Sequence, residues 1–307
     1  MAKMIVTGKI LFILMLLLLK DSGQVQADDE VEEKQTFHES MTLNLPKSYK
    51  IDWMKSIDNN KLISAITIPG AHDALALHGG ALAKCQSLSL EDQLLAGIRY
   101  LDLRVSGENL EIKHGITYQH ITFPEVLSKI KAFLSKYKTE TVLVRVKPVR
   151  NFRGKVQNLI QNIINNDDVW IKNSIPKIGE VRGKVVLVQK DRFTLGIPLS
   201  GTDNKGDYKV TNINHKKEIV ALHLMEAANK CKNNDHDEVV LSYSSGTGVG
   251  TSKGLSLFPS RVAKEINPWL YEYLKMQSVK KPKPCYGIIA MDFPGFDLIQ
   301  MVIKFNT

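Results

Sequence analysis

Short apolar runs alternate with longer amphipathic stretches along the chain, from about Leu43 to Thr307. The runs are rich in Val, Ile and Leu, which is typical of strands that are buried on both faces of a parallel sheet. We therefore expect a largely parallel sheet with connecting helices. The predicted strands are Leu62–Ile68, Ile98–Val105, Leu110–Lys113, Thr141–Val146, Lys184–Gln189, Glu238–Tyr243 and Tyr286–Met291.

The stretches between these runs carry helix signals. Thr122 and Glu125 have the spacing of a capping box, and apolar residues then recur at helical spacing as far as Tyr137. Further helices are predicted at Lys155–Asn165, His215–Cys231, Ser260–Met276 and Phe296–Phe305.

Strands and helices that alternate in this number predict an α/β fold, and we expect a single irregular TIM-type barrel rather than an open sheet. The irregularity is expected because Ile98–Val105 and Leu110–Lys113 are separated by too few residues for a helix. In a barrel of this type, functional groups lie at the carboxyl ends of the strands.

The first 27 residues have the pattern of a cleavable secretory signal, so we expect a secreted protein. Lys3 and Lys9 precede the apolar run Ile10–Leu19, and the segment closes on Val25-Gln26-Ala27. A retained membrane anchor is the alternative, although the run is short for a membrane span. Residues 28–42 begin with an acidic stretch and predict a disordered N-terminus, which leaves residues 43–307 for the folded domain.

Composition narrows the classes of partner. The chain has a formal net charge of +9, and loss of the signal's three lysines and one aspartate leaves about +7. Such a charge favours anionic surfaces, among them acidic membranes. No aromatic and basic recognition motif for nucleic acid accompanies it, so we expect no nucleic-acid partner, and we expect a monomer. Three cysteines, Cys85, Cys231 and Cys285, allow at most one internal disulfide, and the sequence leaves the pairing open.

Ionisable residues end several of the predicted strands. His72 and Asp73 follow the first, Asp102 and Arg104 end the second, and His114 ends the third. Imidazole titrates near neutral pH, so two histidines can act as base and acid of one proton-transfer reaction. An arginine between them suits a phosphate oxyanion. The pattern predicts phosphodiester chemistry without a metal or cofactor. Later strand ends add Lys147, Lys190 and Asp292.

These motifs resemble the secreted phosphatidylinositol-specific phospholipases C of the bacterial type, whose barrel is called the X domain. The specific part is Ile68-Pro-Gly-Ala-His-Asp-Ala74 with Asp102-Leu-Arg104 and His114-Gly115, and the resemblance extends from about Trp53 to Asp292. It implies metal-independent cleavage of membrane phosphatidylinositol to diacylglycerol and inositol 1,2-cyclic phosphate. Glycosyl-phosphatidylinositol anchors are a further substrate that it suggests.

The resemblance also implies roles for single residues. His72 would be the general base for the inositol 2-hydroxyl, and Asp292 would hold its other ring nitrogen. His114 would be the general acid for the leaving diacylglycerol oxygen. Arg104 would bind the phosphate, and Asp73 would support both His114 and Arg104.

The residues that would bind inositol match the family less closely. Lys147 would bind ring hydroxyls, and Tyr208 would offer a ring face to the sugar. Lys190 stands where the family has an arginine, which removes the planar fork of the guanidinium. Gly206 stands where the family has an aspartate, so Asp207 either takes that role or the contact is missing.

Several alternatives remain open at this stage. Asp102 is placed beside the substrate by its motif, but an ion pair with Arg104 would also explain it. A magnesium-dependent glycerophosphodiester phosphodiesterase or phospholipase D of a related barrel type is a second function, and a catalytically inactive lipid-binding module is a third. We expect the remaining histidines to be structural: His78, His120, His215, His223 and His236.

Overall fold

The structure is a computed structural model, and it describes residues 43–149, 153–190, 193–254 and 256–307. The predicted signal segment (residues 1–27) and the acidic segment (residues 28–42) lie outside the described residues. Their boundaries with the domain at residue 43 therefore stay predictions.

In the part of the chain that the structure describes, ten strands form one curled sheet around an apolar core. Eight of them run parallel in the order β6-β7-β5-β2-β1-β10-β9-β8, which is the irregular α/β barrel expected from the sequence. The parallel arrangement places the carboxyl ends of these strands on one rim. The strands are β1 Thr67–Ala71, β2 Tyr100–Ser106, β3 Glu111–His114, β4 Thr117–Thr122, β5 Val142–Pro148, β6 Val169–Trp170, β7 Val185–Val188, β8 Leu199–Gly201, β9 Val239–Tyr243 and β10 Gly287–Met291.

The run at Leu110–Lys113 does not become a parallel barrel strand. It forms β3, which pairs antiparallel with the end of β2 through Val105↔Ile112 and Ser106↔Glu111. Strand β4 then pairs antiparallel with β3. The connection from β2 is too short for a crossover, so the chain folds back as a hairpin. This hairpin accounts for the predicted irregularity.

The helices cover the outside of the sheet. The capping box predicted at Thr122 and Glu125 is present at the start of α2. Two short helices, α1 and α4, were not predicted, because four to seven residues give too little periodicity for detection. The helices are α1 Leu90–Ala96, α2 Phe123–Lys136, α3 Arg153–Ile163, α4 Ile178–Val181, α5 Ile213–Lys232, α6 Pro259–Ser278 and α7 Phe296–Ile303, and 3₁₀ turns lie at Trp53–Ser56, Ile63–Ala65 and Lys304–Asn306.

The first predicted strand lies later in the chain than expected. Ile63–Ala65 is a 3₁₀ turn, and β1 runs through Pro69 and Gly70, which usually interrupt strands. Gly70 is required there by packing, because a Cβ would lie 2.8 Å from the ring of Tyr100. The shift matters for the site, since β1 now ends directly before His72.

A disulfide joins Cys231 at the end of α5 to Cys285 just before β10. Cys85 is a buried free thiol. The structure thus resolves the pairing that the sequence left open. None of the described helices is both long enough and apolar enough to cross a membrane.

Candidate active site

A cleft of about 600 Å³ opens at the carboxyl ends of the parallel strands. Every predicted site residue except Asp73 lines it, and Asp73 contacts three of the lining side chains. The structure therefore brings together all ten residues named from the sequence. The lining members of this set are His72, Asp102, Arg104, His114, Lys147, Lys190, Asp207, Tyr208 and Asp292.

The backbone after β1 fixes His72 and Asp73. The N–H of His72 donates to Met291 O at 3.0 Å, so the turn is tied to the end of β10. Asp73 has a φ of 38°, a left-handed conformation that is uncommon for a residue with a Cβ. The buried Gln86 amide donates to the carbonyls of His72 and Met291 and holds both strand ends together. Backbone strain of this kind is typical of functional sites.

Asp73 is the centre of the site. Its Oδ1 accepts from Arg104 Nε at 2.6 Å, and its Oδ2 accepts from Arg104 Nη2. The same Oδ2 lies 3.2 Å from His72 Nε2 and 3.2 Å from His114 Nε2. The two Nε2 atoms therefore approach the same carboxylate oxygen and can be no farther apart than twice that distance.

Charge holds Asp73 in its ionised form. Burial alone would raise the pKa of this carboxyl, but His72, Arg104 and His114 together hold the pKa well below its usual value. Burial works against the charge of Arg104 as well, but the Asp73 carboxylate outweighs it and raises the pKa of the guanidinium. The pair is thus a permanent ion pair at the base of the cleft.

His72 is held between two carboxylates. Its Nδ1 lies 2.8 Å from Asp292 Oδ1, and its Nε2 faces Asp73. Burial alone would lower the pKa of His72, but the charges of Asp73 and Asp292 raise it to about 9. Burial raises the pKa of Asp292, and its contacts with His72 and with the Gly246 N–H oppose that rise. The free protein therefore holds a proton on His72 at neutral pH.

Asp102 pairs with a residue that the sequence analysis did not consider. Both of its carboxylate oxygens accept from Arg145 Nη1 at 3.0 Å, and the Tyr243 hydroxyl lies 3.2 Å from Oδ2. Arg104 pairs with Asp73 instead, so the alternative of an Asp102–Arg104 ion pair was wrong. Asp102 is buried, and it supports the cleft wall through Arg145.

Lys147 stands beside Arg104 on the neighbouring strand, because the β2–β5 register places the two residues opposite each other. Burial lowers the pKa of Lys147, and the charges of Arg104 and Arg145 lower it further. Crowded cations of this kind favour an anion or an oxygen-rich ligand in front of them.

The carboxylate of Asp207 is bound by two other residues that line the cleft. Its Oδ2 accepts from the Asn204 N–H at 2.7 Å and lies 3.0 Å from His223 Nε2. Tyr208 is 57% exposed at the rim, and Lys209 Nζ lies over its ring, 5.0 Å from the ring centre. His223 was expected to be structural, yet it lines the cleft and pairs with Asp207.

Several lining residues were missed by the sequence analysis. Arg145 lies two residues before Lys147, and strand alternation would have placed it on the same face. Cys85, Lys216 and His223 reach the cleft from segments outside the strand ends, so no local pattern identifies them. The Cys85 thiol is buried, and burial raises its pKa well above the usual value.

Three overlapping groups of His, Cys and Asp side chains have ligand atoms close enough to hold a metal ion. Their members are His72, Asp73, Cys85, Asp102, His114 and Asp292. Two of the carboxylates already bind a guanidinium, Asp73 to Arg104 and Asp102 to Arg145. A divalent cation would have to displace or face these fixed positive charges, so the donor set fits a phosphate better than calcium or magnesium.

Comparison with known proteins agrees with this geometry. Residues 64–191 match the X domain of phosphatidylinositol-specific phospholipase C. The chain is 29% identical over 283 residues to 1-phosphatidylinositol phosphodiesterase of Listeria monocytogenes, covering 83% of this chain and 84% of that protein. It is 25% identical over 302 residues to the Staphylococcus aureus (strain Newman) protein of the same name, covering 83% and 94%.

Solved structures show the same fold. The phosphatidylinositol-specific phospholipase C from Listeria monocytogenes superposes with a TM-score of 0.71 and 25% identity, covering 84% of this chain and all of that one (100%). A variant of the Staphylococcus aureus enzyme gives a TM-score of 0.68 at 22% identity, covering 84% and 98%. Residues 64–191 are therefore similar to the X domain of phosphatidylinositol-specific phospholipase C, and 83% of the chain is similar to the bacterial 1-phosphatidylinositol phosphodiesterases.

Proposed function

We propose that the protein cleaves phosphatidylinositol without a metal, giving diacylglycerol and inositol 1,2-cyclic phosphate. The observation that carries the proposal is the convergence of two imidazole Nε2 atoms and one guanidinium on a single carboxylate, Asp73. The relatives named 1-phosphatidylinositol phosphodiesterase support the substrate.

In this reaction the inositol 2-hydroxyl oxygen attacks phosphorus while neutral His72 removes its proton. The bond from phosphorus to the glycerol oxygen breaks, and protonated His114 gives that oxygen a proton. Base and acid act on opposite sides of phosphorus, so two separate histidines are needed. Asp292 stabilises His72 once it carries the proton. The productive form thus has His72 neutral and His114 charged, so His72 must lose the proton that it holds in the free protein at neutral pH before it can act as the base.

Arg104 supplies the charge that phosphate needs. Its Nε and Nη2 groups bind Asp73, and its Nη1 makes no hydrogen bond to the described part of the chain. In our proposal Nη1 donates to a non-bridging phosphate oxygen, where it stabilises the negative charge that develops during attack. Lys147, Lys190 and Tyr208 then contact the inositol ring, whereas Asp207 is held by His223 and contributes less.

We further propose that the enzyme is secreted and works as a monomer at the surface of a membrane. The signal-like N-terminus and the Cys231–Cys285 disulfide both fit an oxidising compartment. Exposed apolar side chains near the cleft support contact with lipid: Leu82 and Tyr208 line it, and Ile116, 99% exposed, follows His114 by two residues.

The decisive experiment is an assay of the purified protein on vesicles of phosphatidylinositol, with the phosphorus products resolved by ³¹P NMR. We expect a cyclic phosphodiester as the first product. His72→Ala and His114→Ala should each lower the rate at least about 100-fold, because each removes one partner of the proton transfer. His215→Ala is the matched control, since this exposed histidine pairs with Glu218 on α5, outside the cleft.

Other outcomes point to the competing functions. Magnesium-dependent release of choline or ethanolamine from other phospholipids would indicate a phosphodiesterase or phospholipase D. Vesicle binding without turnover, unchanged in His72→Ala, would indicate a lipid-binding module. The same assay on a glycosyl-phosphatidylinositol decides whether anchors are substrates.

A further inference from the structure

Cys85 is a thiol on the wall of the cleft, and the reaction above does not use it. The residue is 1% exposed, and its Sγ makes a weak contact with the carbonyl oxygen of Ala83 at 3.8 Å. The thiol therefore packs among the site residues and keeps its sulfur available to a ligand. Sulfur is a ligand that soft metal ions bind far more strongly than calcium or magnesium does.

Cys85 belongs to two of the three groups of side chains whose ligand atoms lie within 4.8 Å of one another. One of these groups contains Asp73, whose two carboxylate oxygens are occupied by Arg104. The other consists of His72, Cys85 and Asp292, and it contains no carboxylate that is paired with a guanidinium. A cation can therefore enter the second group without breaking an ion pair with arginine.

The donor atoms of this group select the kind of metal. One sulfur, one imidazole nitrogen and one carboxylate oxygen are all ligands of zinc, with bonds of about 2.0–2.3 Å. Ligand atoms around one tetrahedral zinc ion lie about 3.5 Å apart, so shifts of about 1 Å bring these three atoms into place. Calcium and magnesium prefer oxygen atoms alone and gain little from the thiol.

The positive charge of the cleft does not oppose such an ion, because protons leave as it binds. Burial raises the pKa of Cys85 well above its usual value. Burial lowers the pKa of His72, but Asp73 and Asp292 raise it to about 9. A divalent ion displaces the S–H proton and one N–H proton to solvent. Thiol, imidazolium and carboxylate sum to zero charge, and so do thiolate, imidazole, carboxylate and dication.

We propose that His72, Cys85 and Asp292 form an inhibitory site for a thiophilic divalent cation, Zn²⁺ or Cd²⁺. A neutral imidazole has one nitrogen that carries a proton and one that has a free lone pair. A metal ion on that lone pair leaves His72 unable to accept the proton of a hydroxyl group. The binding follows from the three side chains alone, whereas the inhibition rests on the proposed function, in which His72 is the base.

The activity test measures cleavage of phosphatidylinositol at micromolar free Zn²⁺, set with a metal buffer. We expect the rate to fall tenfold or more, to recover when EDTA is added, and to stay unchanged when Ca²⁺ or Mg²⁺ replaces Zn²⁺. Cys85→Ala should keep the basal rate and lose the sensitivity to zinc. Because this variant is assayed on the same vesicles, it also controls for zinc that binds to lipid phosphates. Absence of inhibition, or equal inhibition of Cys85→Ala, would overturn the proposal.

A binding measurement separates this inference from the proposed function. Titration of the whole protein with Cd²⁺ should produce the ultraviolet charge-transfer band of a cadmium–thiolate bond, and Cys85→Ala should lack this band. His72→Ala should weaken Cd²⁺ binding tenfold or more, because it removes a ligand. His114→Ala is the matched control, since His114 belongs to the other group that contains Cys85, and it should leave the affinity unchanged.

Thermal unfolding of each variant confirms that it is folded. A cadmium–thiolate band that depends on His72 establishes the site even in a protein that cleaves no lipid, in which case the proposed function fails alone. Loss of affinity in His114→Ala equal to that in His72→Ala would place the ion beside Asp73 and refute the proposal. Lack of the band in the unsubstituted protein would refute it as well.

Discussion

At the scale of single residues, the site is organised by carboxylates that each have a fixed cation. Asp73 binds Arg104 and both imidazoles, Asp292 binds His72, and Asp102 binds Arg145. Because these groups are buried, the pairing determines which of them carry protons. The residue whose protonation depends most on this arrangement is His72, which lies between two of the carboxylates.

We predict that the imidazole of His72 titrates with a pKa of about 9 in the free protein. Asp292→Asn removes one of the two charges responsible and should lower this pKa by at least about one unit. NMR of histidine ring protons as a function of pH measures both values. A His72 that titrates near its ordinary value of 6.5 in the unsubstituted protein would contradict the prediction.

The raised pKa of His72 also makes the free energy of unfolding depend on pH. The folded-state pKa is raised above the unfolded value, so the stabilisation is complete below pH 6.5 and disappears as the pH rises through about 9. The free energy of unfolding should lose on the order of 3 kcal/mol over this window. His72→Gln serves as control, because it lacks the titrating group and should lack this component.

The sequence predicted these cleft residues because each follows a recognisable apolar run. Strand ends and one motif were sufficient to predict that His72, Arg104 and His114 belong to the site. Lys216 and His223 are different, because they lie within helix α5, where no strand end or motif marks them. Their role depends on where the loop containing Asp207 meets that helix, and this contact is set by tertiary packing.

At the scale of elements, long apolar runs were reliable and short strands were not. Strands β6 and β8 have two and three residues, and they exist because β7 and β9 offer hydrogen-bonding partners. Such strands carry little signal of their own, since neighbouring strands supply their stabilisation. The capping box at α2 was predicted correctly, because its two residues act locally.

The segment between β7 and β8 depends on one glycine. Gly196 has a φ of +95°, and a Cβ at this position would lie 1.9 Å from the carbonyl oxygen of Leu187. We predict that Gly196→Ala lowers the free energy of unfolding by more than about 2 kcal/mol, because backbone must move to relieve the contact. Denaturant unfolding measures the change.

Gly107 provides the comparison for that substitution. It also has a positive φ, +76°, but no heavy atom lies within 4 Å of its ideal Cβ. Gly107→Ala should therefore cost only about 1 kcal/mol, the conformational term alone. Equal losses for the two variants would show that the close approach at Gly196 has no energetic effect.

At the scale of the whole molecule, the alternation of strands and helices was enough to predict an α/β barrel with functional groups on one rim. The pairing of β3 with β4 in a hairpin and the pairing of the cysteines could not be predicted from this alternation. The first depends on how β2 is paired at its end, and the second on which two of three cysteines meet in the fold. The net positive charge of the chain and the fixed guanidinium of Arg104 are also properties of the whole molecule, because both attract anions to the cleft and repel cations.

We predict that turnover of phosphatidylinositol is unchanged in excess EDTA and does not increase when calcium or magnesium is added. The reason is that Arg104 already supplies the positive charge at the phosphate position and binds the carboxylate that a metal would need. The assay is the release of cyclic inositol phosphate with and without chelator. Loss of activity in EDTA that calcium restores would show that a metal takes part.

The hairpin of β3 and β4 carries His114 outside the ring of parallel strands, with β2 as its one neighbour in the described sheet. Apart from its pairing with β2, this arm is tied to Leu77 and His78 by the side chain of Gln119. We expect its amides to exchange with solvent through local opening before the barrel melts. Each such opening would move His114, the proton donor in our proposal, away from the scissile bond. Heat inactivation of the enzyme can therefore begin as a fluctuation of one arm in a molecule that is still folded.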